Sequence, residues 1–200
     1  MARWQHLAQA GSIIATIAVL AACSSSSPKG SSPSSGPNPN ATESKVAGDI
    51  PDNQAFVPYV DPGKTFTVTV PEGWARTSSG AGTLFTDKYN SVRIDTKATA
   101  TAPTVASAQA GDVPAIAAAA NGFHPGKVSM VNRKAGPVVL ITYQADSAPN
   151  PVTGKVAVEA VERYEFWKSG HEAVLTLAAP VGSDNVDPWR TVTDSFGWSA

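Results

Sequence analysis

A stretch of 17 residues, 24–40, divides the chain because nothing in it can pack. It contains eight Ser, four Pro and two Gly, and it has no apolar side chain. Such a segment cannot bury enough surface to offset the entropy of ordering its backbone, so the sequence predicts a disordered tether that extends to about residue 46. The residues before the tether and those after it must therefore be interpreted separately.

Residues 1–22 have the pattern of a secretory signal. One basic side chain, Arg3, precedes an apolar run over residues 13–22. A helix that spans a bilayer needs roughly 20 apolar residues, about twice the length of this run. A short apolar run between a basic start and small residues predicts a cleaved signal peptide.

The signal ends in Leu20-Ala21-Ala22-Cys23, which resembles a bacterial lipobox: an aliphatic residue, two small residues and a cysteine. The resemblance implies cleavage before Cys23, S-diacylglycerol on its thiol and an N-palmitoyl chain on its amino group. Because stable anchoring takes two acyl chains, this lipid would hold the protein at the extracytoplasmic face of the cell membrane. Cys23 is the only cysteine, so the chain can form no intramolecular disulfide and no thiolate metal cluster.

The remaining residues, 47–200, are predicted to form one domain that is held together by its core alone. Without residues 1–22 the chain has 14 basic and 16 acidic side chains, a net charge of −2. It contains no long charge run or basic stripe, so we predict no nucleic-acid partner.

Most of this domain has strand patterns. Residues 65–70 alternate strictly, with Phe66, Val68 and Val70 on one face. Residues 138–141 are apolar on both faces, which predicts an interior strand that is covered on each side. We expect this interior strand to span residues 137–144, and we expect further strands at residues 83–86, 91–97 and 127–132.

The last two predicted strands, 154–167 and 171–179, have a register that can be derived. A two-residue turn at Ser169-Gly170 sets this register. On one side it places Phe166 opposite Ala173, Tyr164 opposite Leu175 and Glu162 opposite Leu177. The other side is predicted to face solvent and carries Lys155, Glu159, Arg163 and Glu165.

Two alanine-rich helices are predicted between residues 104 and 122. Pro114 argues against one uninterrupted helix, so we expect a short helix near 104–110 and a second one with Asp112 as its N-cap and Gly122 at its end.

A final helix is predicted to begin at Asp187-Pro188. Its apolar face contains Trp189, Val192 and Phe196, and it is expected to end at Gly197, just before Trp198. The order of strands, helices, strands and helix predicts an α+β domain, in which a few helices pack on an antiparallel sheet.

Two motifs resemble actinobacterial lipoproteins of the LpqN/LpqT kind, whose fold is PsbP-like. They are Phe66-x-Val68-x-Val70-Pro71-x-Gly73-Trp74 and the segment from Trp189 to Trp198. The resemblance spans most of residues 55–200. It implies an extracytoplasmic accessory or binding role, and it carries over no catalytic residues.

Candidate catalytic groups are few. After removal of the signal peptide the chain has two histidines, His124 and His171. The sequence predicts a loop for His124 and an exposed hairpin end for His171. The sequence has no Gly-x-Ser-x-Gly, no His-x-x-x-His, no Gly-rich phosphate loop and no Asp-rich calcium loop. We therefore predict no cofactor, no metal and no enzymatic activity.

Two residues break the pattern. Glu162 is a carboxylate on a predicted apolar face. It is an acid in a pocket, or it is turned to solvent by a β-bulge at residues 160–162, or the strand leaves the core there. Trp167 falls on the polar face, and it is either a partner contact or packed under a loop or helix.

Three functions follow, in order of preference. The first is a lipid-anchored, non-catalytic domain that binds an envelope protein or ligand. The second is a carrier of a lipid or other hydrophobic ligand in a cavity between sheet and helices. The third is an envelope hydrolase that uses carboxylates or His171.

Overall fold

The structure is a computed structural model, and it describes residues 48–79 and 82–199. Cys23, the predicted cleavage site and the tether up to residue 46 lie outside the described residues. The strands, in chain order, are β1 (Phe56–Val60), β2 (Phe66–Pro71), β3 (Ala75–Ser79), β4 (Gly82–Asp87), β5 (Asn90–Ala98), β6 (His124–Arg133), β7 (Gly136–Asp146), β8 (Val158–Lys168), β9 (His171–Pro180) and β10 (Gly197–Trp198).

These strands form two sheets in which every pairing is antiparallel. The larger sheet has seven strands in the order β3-β4-β5-β9-β8-β7-β6, and the smaller has three in the order β1-β2-β10. The predicted α+β class is confirmed. The predicted single sheet is replaced by two sheets with part of the core between them.

The smaller sheet is built around the strictly alternating segment. β2 buries Phe66, Val68 and Val70, because alternate side chains of a strand share one face. β1 pairs along one edge of β2, and β10 pairs along the other and places Trp198 opposite Phe66. The strand predicted at residues 65–70 is therefore confirmed.

The hairpin of β8 and β9 forms the middle of the larger sheet. Ser169 and Gly170 make its turn with φ of 49° and 86°, the positive values that a type I′ turn requires. The predicted register is confirmed, since the structure pairs Phe166 with Ala173, Tyr164 with Leu175 and Glu162 with Leu177.

The inner face of the larger sheet packs against the smaller sheet and against helix α3 (Val186–Asp194). Phe196 lies close to Phe66 and Phe166, with ring centroids 5.0 and 4.1 Å away. Trp189 and Val192 are also buried in this core. The predicted burial of Trp189, Val192 and Phe196 is therefore confirmed. The predicted end at Gly197 is wrong, because the helix ends at Asp194 and Phe196 lies beyond it.

Helix α3 begins earlier than predicted. Its N-cap is Asn185, and Asp187 lies in its first turn. The Asn185 side chain accepts a hydrogen bond from the backbone N–H of Ile50 at 2.8 Å. This bond ties the start of the helix to the segment that precedes β1.

The outer face of the larger sheet is covered in part by a continuous helical segment, residues 105–119. It consists of α1 (Val105–Ser107), a π-helical turn (Ala108–Asp112) and α2 (Val113–Ala119). The two predicted α-helices are present, and Asp112 is at the N-cap of α2 as predicted, but a π-helical turn joins them instead of a break. Pro114 lies in the first turn of α2. The segment ends at Ala119, before Gly122.

Strand β7 is covered on both faces, as its sequence predicts. Val138 packs in the core between the sheets. Val139 and Ile141 point the other way and pack with Ala108 of the helical segment.

Glu165 contradicts the prediction that the outer face of β8 is solvated. It is 1% exposed, and its Oε1 accepts a hydrogen bond from Arg163 Nε at 3.2 Å. Burial raises the pKa of its carboxyl, with a further rise from the charge of Asp112 and an opposing effect from Arg163. On the adjacent strand, the equally buried Glu172 pairs with Lys97 at 3.1 Å.

Asp112, at the start of α2, adds a third carboxylate to this group of charges. Its carboxylate makes no N-capping hydrogen bond. It lies 3.9 Å from Arg163 and 3.7 Å from Lys97. The helical segment therefore brings a third carboxylate to two cations on the outer face, and the sequence pattern of β8 alone could not show this cover.

Candidate functional site

Glu162 lies on the inner face of β8, at the margin of the apolar core. It is half-buried, whereas Tyr164 and Phe166 on the same face are fully buried. β8 keeps a regular register with both neighbouring strands through residues 160–162. No bulge turns the carboxylate away, so it stays on the inner face.

A chain of hydrogen bonds holds this carboxylate in place. The Tyr164 hydroxyl donates to Glu162 Oε2 at 2.6 Å and accepts from Arg133 Nη2 at 2.8 Å. Arg133 Nε donates to Thr193 in α3 at 2.8 Å, and the guanidinium lies 4.9 Å from the centre of the Tyr164 ring. Hydrogen bonds with a charged partner are shorter and stronger than neutral ones, so this chain restricts where the carboxylate can move.

The Tyr164 hydroxyl is fixed as the donor to Glu162. Burial raises the pKa of this phenol. The hydrogen bond to Glu162 and the negative charge of Glu162 raise the pKa further, whereas Arg133 lowers it. The phenol therefore keeps its proton, and the carboxylate receives a hydrogen bond from it rather than competing with a phenolate.

An open groove of about 520 Å³ lies beside Glu162, and we call it the Glu162 groove. Its polar lining includes His124, Thr142, Gln144 and Glu162. Its volume falls within the range of about 300–1,000 Å³ that is typical of small-molecule sites. The groove therefore brings together two residues that the sequence had assigned separately, Glu162 and His124.

An irregularity in β6 shapes this groove. The register with β7 shifts between Pro125 and Val128, and Thr142 Oγ1 accepts a hydrogen bond from the Lys127 N–H at 2.9 Å. A side chain at Gly126 would collide with the Thr142 carbonyl. The close approach of β6 to β7 at this point therefore requires glycine.

His171 lies in a different cleft, of about 510 Å³, whose lining includes Asp61, Thr96 and Trp198. Glu162 pairs with Leu177, which is six residues further along β9 than His171, and six residues of strand span about 20 Å. Glu162 and His171 therefore cannot act on the same bond.

Trp167 is half-buried on the outer face. Its indole Nε1 donates to the carbonyl of Thr99 at 2.8 Å, so the ring packs against the segment that follows β5. These surroundings match the alternative in which Trp167 packs under a loop. The role of Trp167 as a partner contact stays a prediction.

A third groove involves a residue that sequence analysis had assigned to a solvated face. Glu159 lines an open space of about 610 Å³ together with the β4–β5 turn and the loop after β7. Burial raises the pKa of its carboxyl to about 7. No sequence signal could have found this groove, because its walls come from segments about 60 residues apart in the chain.

The interface between sheet and helical segment bears on the carrier hypothesis. The pocket described there has a volume of about 200 Å³ and is lined in part by Val113, Phe123 and Ile141. That volume is below the range of about 300–1,000 Å³ typical of ligand sites, so this interface gives the carrier hypothesis no support.

Among residues 48–79 and 82–199, no group of three or more His, Cys, Asp and Glu side chains is placed to hold a metal ion. None of the helices in those ranges combines the length and hydropathy needed to cross a membrane.

Solved structures similar to this chain have low sequence identity. PsbP from the cyanobacterium Synechocystis sp. PCC 6803 is 13% identical, with a TM-score of 0.49, and the match covers 82% of this chain and 100% of that one. LpqN of Mycobacterium tuberculosis, described as involved in cell envelope biogenesis, is 15% identical, with a TM-score of 0.41 and coverage of 74% and 93%. PsbP and LpqN are thus among the similar structures, as the motif resemblance predicted.

A protein from Bacteroides thetaiotaomicron is 13% identical, with a TM-score of 0.48. The match covers 72% of this chain and 48% of that one, so this chain spans about half its length. No protein-family model matches the chain, and no curated protein matches it. Because the TM-scores of these three structures are below 0.5, we infer function from the residues of this chain alone.

Proposed function

We propose that this protein is a lipid-anchored, extracytoplasmic binding protein. Cys23 carries the lipid, residues 24–46 form the tether, and the domain binds an envelope protein or ligand at the Glu162 groove without catalysis. The observation that carries the proposal is a carboxylate held in a fixed position at the wall of an open groove.

The geometry of the Glu162 groove favours binding. A preorganised acceptor loses little entropy when a ligand's hydrogen-bond donor reaches it. The amide of Gln144, which is exposed in the same groove, offers both a donor and an acceptor. A ligand with several polar groups, such as an extended peptide segment of an envelope protein, suits this lining. The hydrolase alternative is weakened by the distance of about 20 Å between Glu162 and His171.

Lipid anchoring is tested by replacing the cysteine. We expect the wild-type protein to incorporate a palmitate analogue and to enter the detergent phase on phase separation. Cys23→Ala should lose both properties, and the matched variant Ser24→Ala should keep them. Anchoring would be refuted if Cys23→Ala still entered the detergent phase.

Binding is tested by placing a photoreactive phenylalanine at position 144 in the groove, with a control at the exposed loop residue Val152. We expect a discrete cross-linked product in cells from position 144 only. Glu162→Gln should abolish that product, and Glu72→Gln, which removes an exposed carboxylate elsewhere, should not. An unchanged product in Glu162→Gln would contradict the assignment of this groove.

The non-catalytic part of the proposal has its own test. The purified mature protein should leave ester, peptide and glycan substrates from the envelope unchanged. Turnover that is lost in a folded Glu162→Gln or His171→Ala variant would show that the domain is an enzyme.

A further inference from the structure

The groove at Glu159 has a feature that the Glu162 groove lacks. Within the described residues, no hydrogen bond or ion pair reaches the Glu159 carboxylate, although its side chain is half-buried. A buried or half-buried charge is normally paired, since leaving water costs free energy that a partner must offset. An unpaired carboxylate at the wall of an open groove is therefore a candidate binding group.

The walls of this groove, which we call the Glu159 groove, are held by hydrogen bonds of their own. The loop after β7 is closed by Ser147 N–H to the Ala157 carbonyl and by Asn150 N–H to the Lys155 carbonyl, each at 2.8 Å. The Ser147 hydroxyl also accepts from the Ala157 N–H at 3.0 Å. The opposite wall is the tight turn between β4 and β5. Both walls are in place before a ligand arrives, which lowers the entropic cost of binding.

The lining of the groove indicates the kind of ligand. Its apolar part includes Leu84, Tyr89 and Pro149. Its charged side chains are Asp87, Lys88 and Glu159, two carboxylates and one ammonium. Lys88 is exposed in the turn, whereas Glu159 is half-buried. A cationic group on a flexible aliphatic stem matches this arrangement, because such stems cover apolar surface while the head reaches a charge.

We propose that the Glu159 groove binds an ammonium group on an aliphatic stem, as in the lysine side chain of a partner protein. The ammonium donates to the Glu159 carboxylate, and the stem lies against Leu84 and Tyr89. This site lies in a different groove from Glu162, so it stands or falls independently of the proposed function.

The titration of Glu159 provides a second readout. Burial raises the pKa of this carboxyl to about 7. Burial also raises the pKa of the nearby Tyr143 phenol, against an opposing effect of Arg163 and with a further rise from the charge of Glu159. A bound ammonium group favours the ionised carboxylate. Ligand should therefore lower the pKa of Glu159, and binding should weaken when the pH falls below 7.

The experiment is an amide NMR titration of the mature protein in detergent micelles. Nα-acetyl-lysine amide is the probe, Nα-acetyl-norleucine amide has the stem without the ammonium group, and 1,5-diaminopentane represents a free diamine. We expect saturable shifts at Ser91 and Ala148 with the lysine probe and none with the norleucine compound. Tighter binding of the diamine would assign the same site to a free amine.

Glu159→Gln should weaken the lysine probe about tenfold, since it removes a charge-assisted hydrogen bond. The matched variant Glu72→Gln should leave the affinity unchanged, and a preserved NMR spectrum shows that each variant is folded. The proposal would be overturned if the lysine probe did not bind, if the norleucine compound bound equally well, or if Glu159→Gln bound like wild type.

Discussion

Removal of one oxygen atom tests the hydrogen-bond chain that positions Glu162. Tyr164→Phe keeps the ring, which is 2% exposed, and its contact with the Arg133 guanidinium at 4.9 Å. It removes only the hydroxyl, which makes one bond of 2.6 Å to Glu162 and one of 2.8 Å to Arg133. The substitution creates no large cavity, so its cost reports the two hydrogen bonds.

The expected loss of unfolding free energy follows from the two hydrogen-bond partners of the Tyr164 hydroxyl. A hydrogen bond to a charged group contributes about 1.5–3 kcal/mol, so two full bonds would amount to roughly 3–6 kcal/mol. Glu162 is half-buried, and the Arg133 side chain retains 16% exposure and a hydrogen bond to Thr193. Water can replace part of what both partners lose. We therefore expect Tyr164→Phe to lower the free energy of unfolding by about 2 kcal/mol.

Urea unfolding of the mature protein, with an unchanged m-value, measures this loss. Tyr59→Phe is the matched control, because its hydroxyl makes one neutral hydrogen bond, to Thr83 at 3.0 Å, and should contribute about 1 kcal/mol. In a double-mutant cycle with Glu162→Gln, Tyr164→Phe should show a coupling of about 1 kcal/mol and Tyr59→Phe none. A loss of unfolding free energy below about 0.5 kcal/mol, or strict additivity with Glu162→Gln, would refute the hydrogen-bond chain proposed for Glu162.

Three further predictions concern stability. Phe196→Ala empties the centre of the core, where Phe196 is 3% exposed, and should cost about 3–5 kcal/mol in urea unfolding; a cost below about 1 kcal/mol would contradict this packing. Trp167→Phe removes the bond to the Thr99 carbonyl, and should cost about 1 kcal/mol by the same measurement while leaving any cross-linked product unchanged. Burial raises the pKa of Glu159 to about 7, so the folded state binds protons that the unfolded chain has released above about pH 4.3. The free energy of unfolding should therefore fall between about pH 4.5 and pH 8, and this fall should be shallower in Glu159→Gln; an identical slope in that variant would refute the assignment.

The β8–β9 hairpin could be predicted in register because its determinants are local. Ser169-Gly170 permits the positive φ angles of the turn, and alternation then fixes which side chain faces which. The same reasoning found the strand at 65–70 and the apolar face of α3. In each case the pattern lies within about ten residues and needs no knowledge of what packs on it.

Three of the described strands escaped prediction, namely β1, β3 and the two-residue β10, and all three are edge strands of their sheets. β1 contains Pro58, which an edge strand tolerates because one side of it needs no hydrogen-bond donor. β3 has the sequence Ala-Arg-Thr-Ser-Ser, with no apolar alternation. This edge strand is held by its backbone pairing with β4. Its side chains therefore need not follow an apolar pattern that would identify it as a strand.

Residues 159, 162 and 165 show why burial could not be predicted from β8 alone. Three-residue spacing along a strand alternates faces, so Glu159 and Glu165 share the outer face and Glu162 lies on the inner one. Their surroundings then differ because different segments cover them. The helical segment lies near Glu165 and supplies Asp112, the Tyr164 hydroxyl reaches Glu162, and Glu159 borders an open groove.

These surroundings decide which of the three carboxylates can bind a ligand. Glu165 is fully buried beside Arg163, so no ligand can reach it without displacing the helical segment. Glu162 is accessible, and its bond from Tyr164 leaves the other carboxylate oxygen to accept from a ligand. Glu159 is accessible and unpaired within the described residues, so a cation that binds there competes with a proton but with no internal partner. An accessible carboxylate with few internal partners gains more from a ligand than one already paired, and by this criterion Glu159 should respond to a cation more strongly than Glu162.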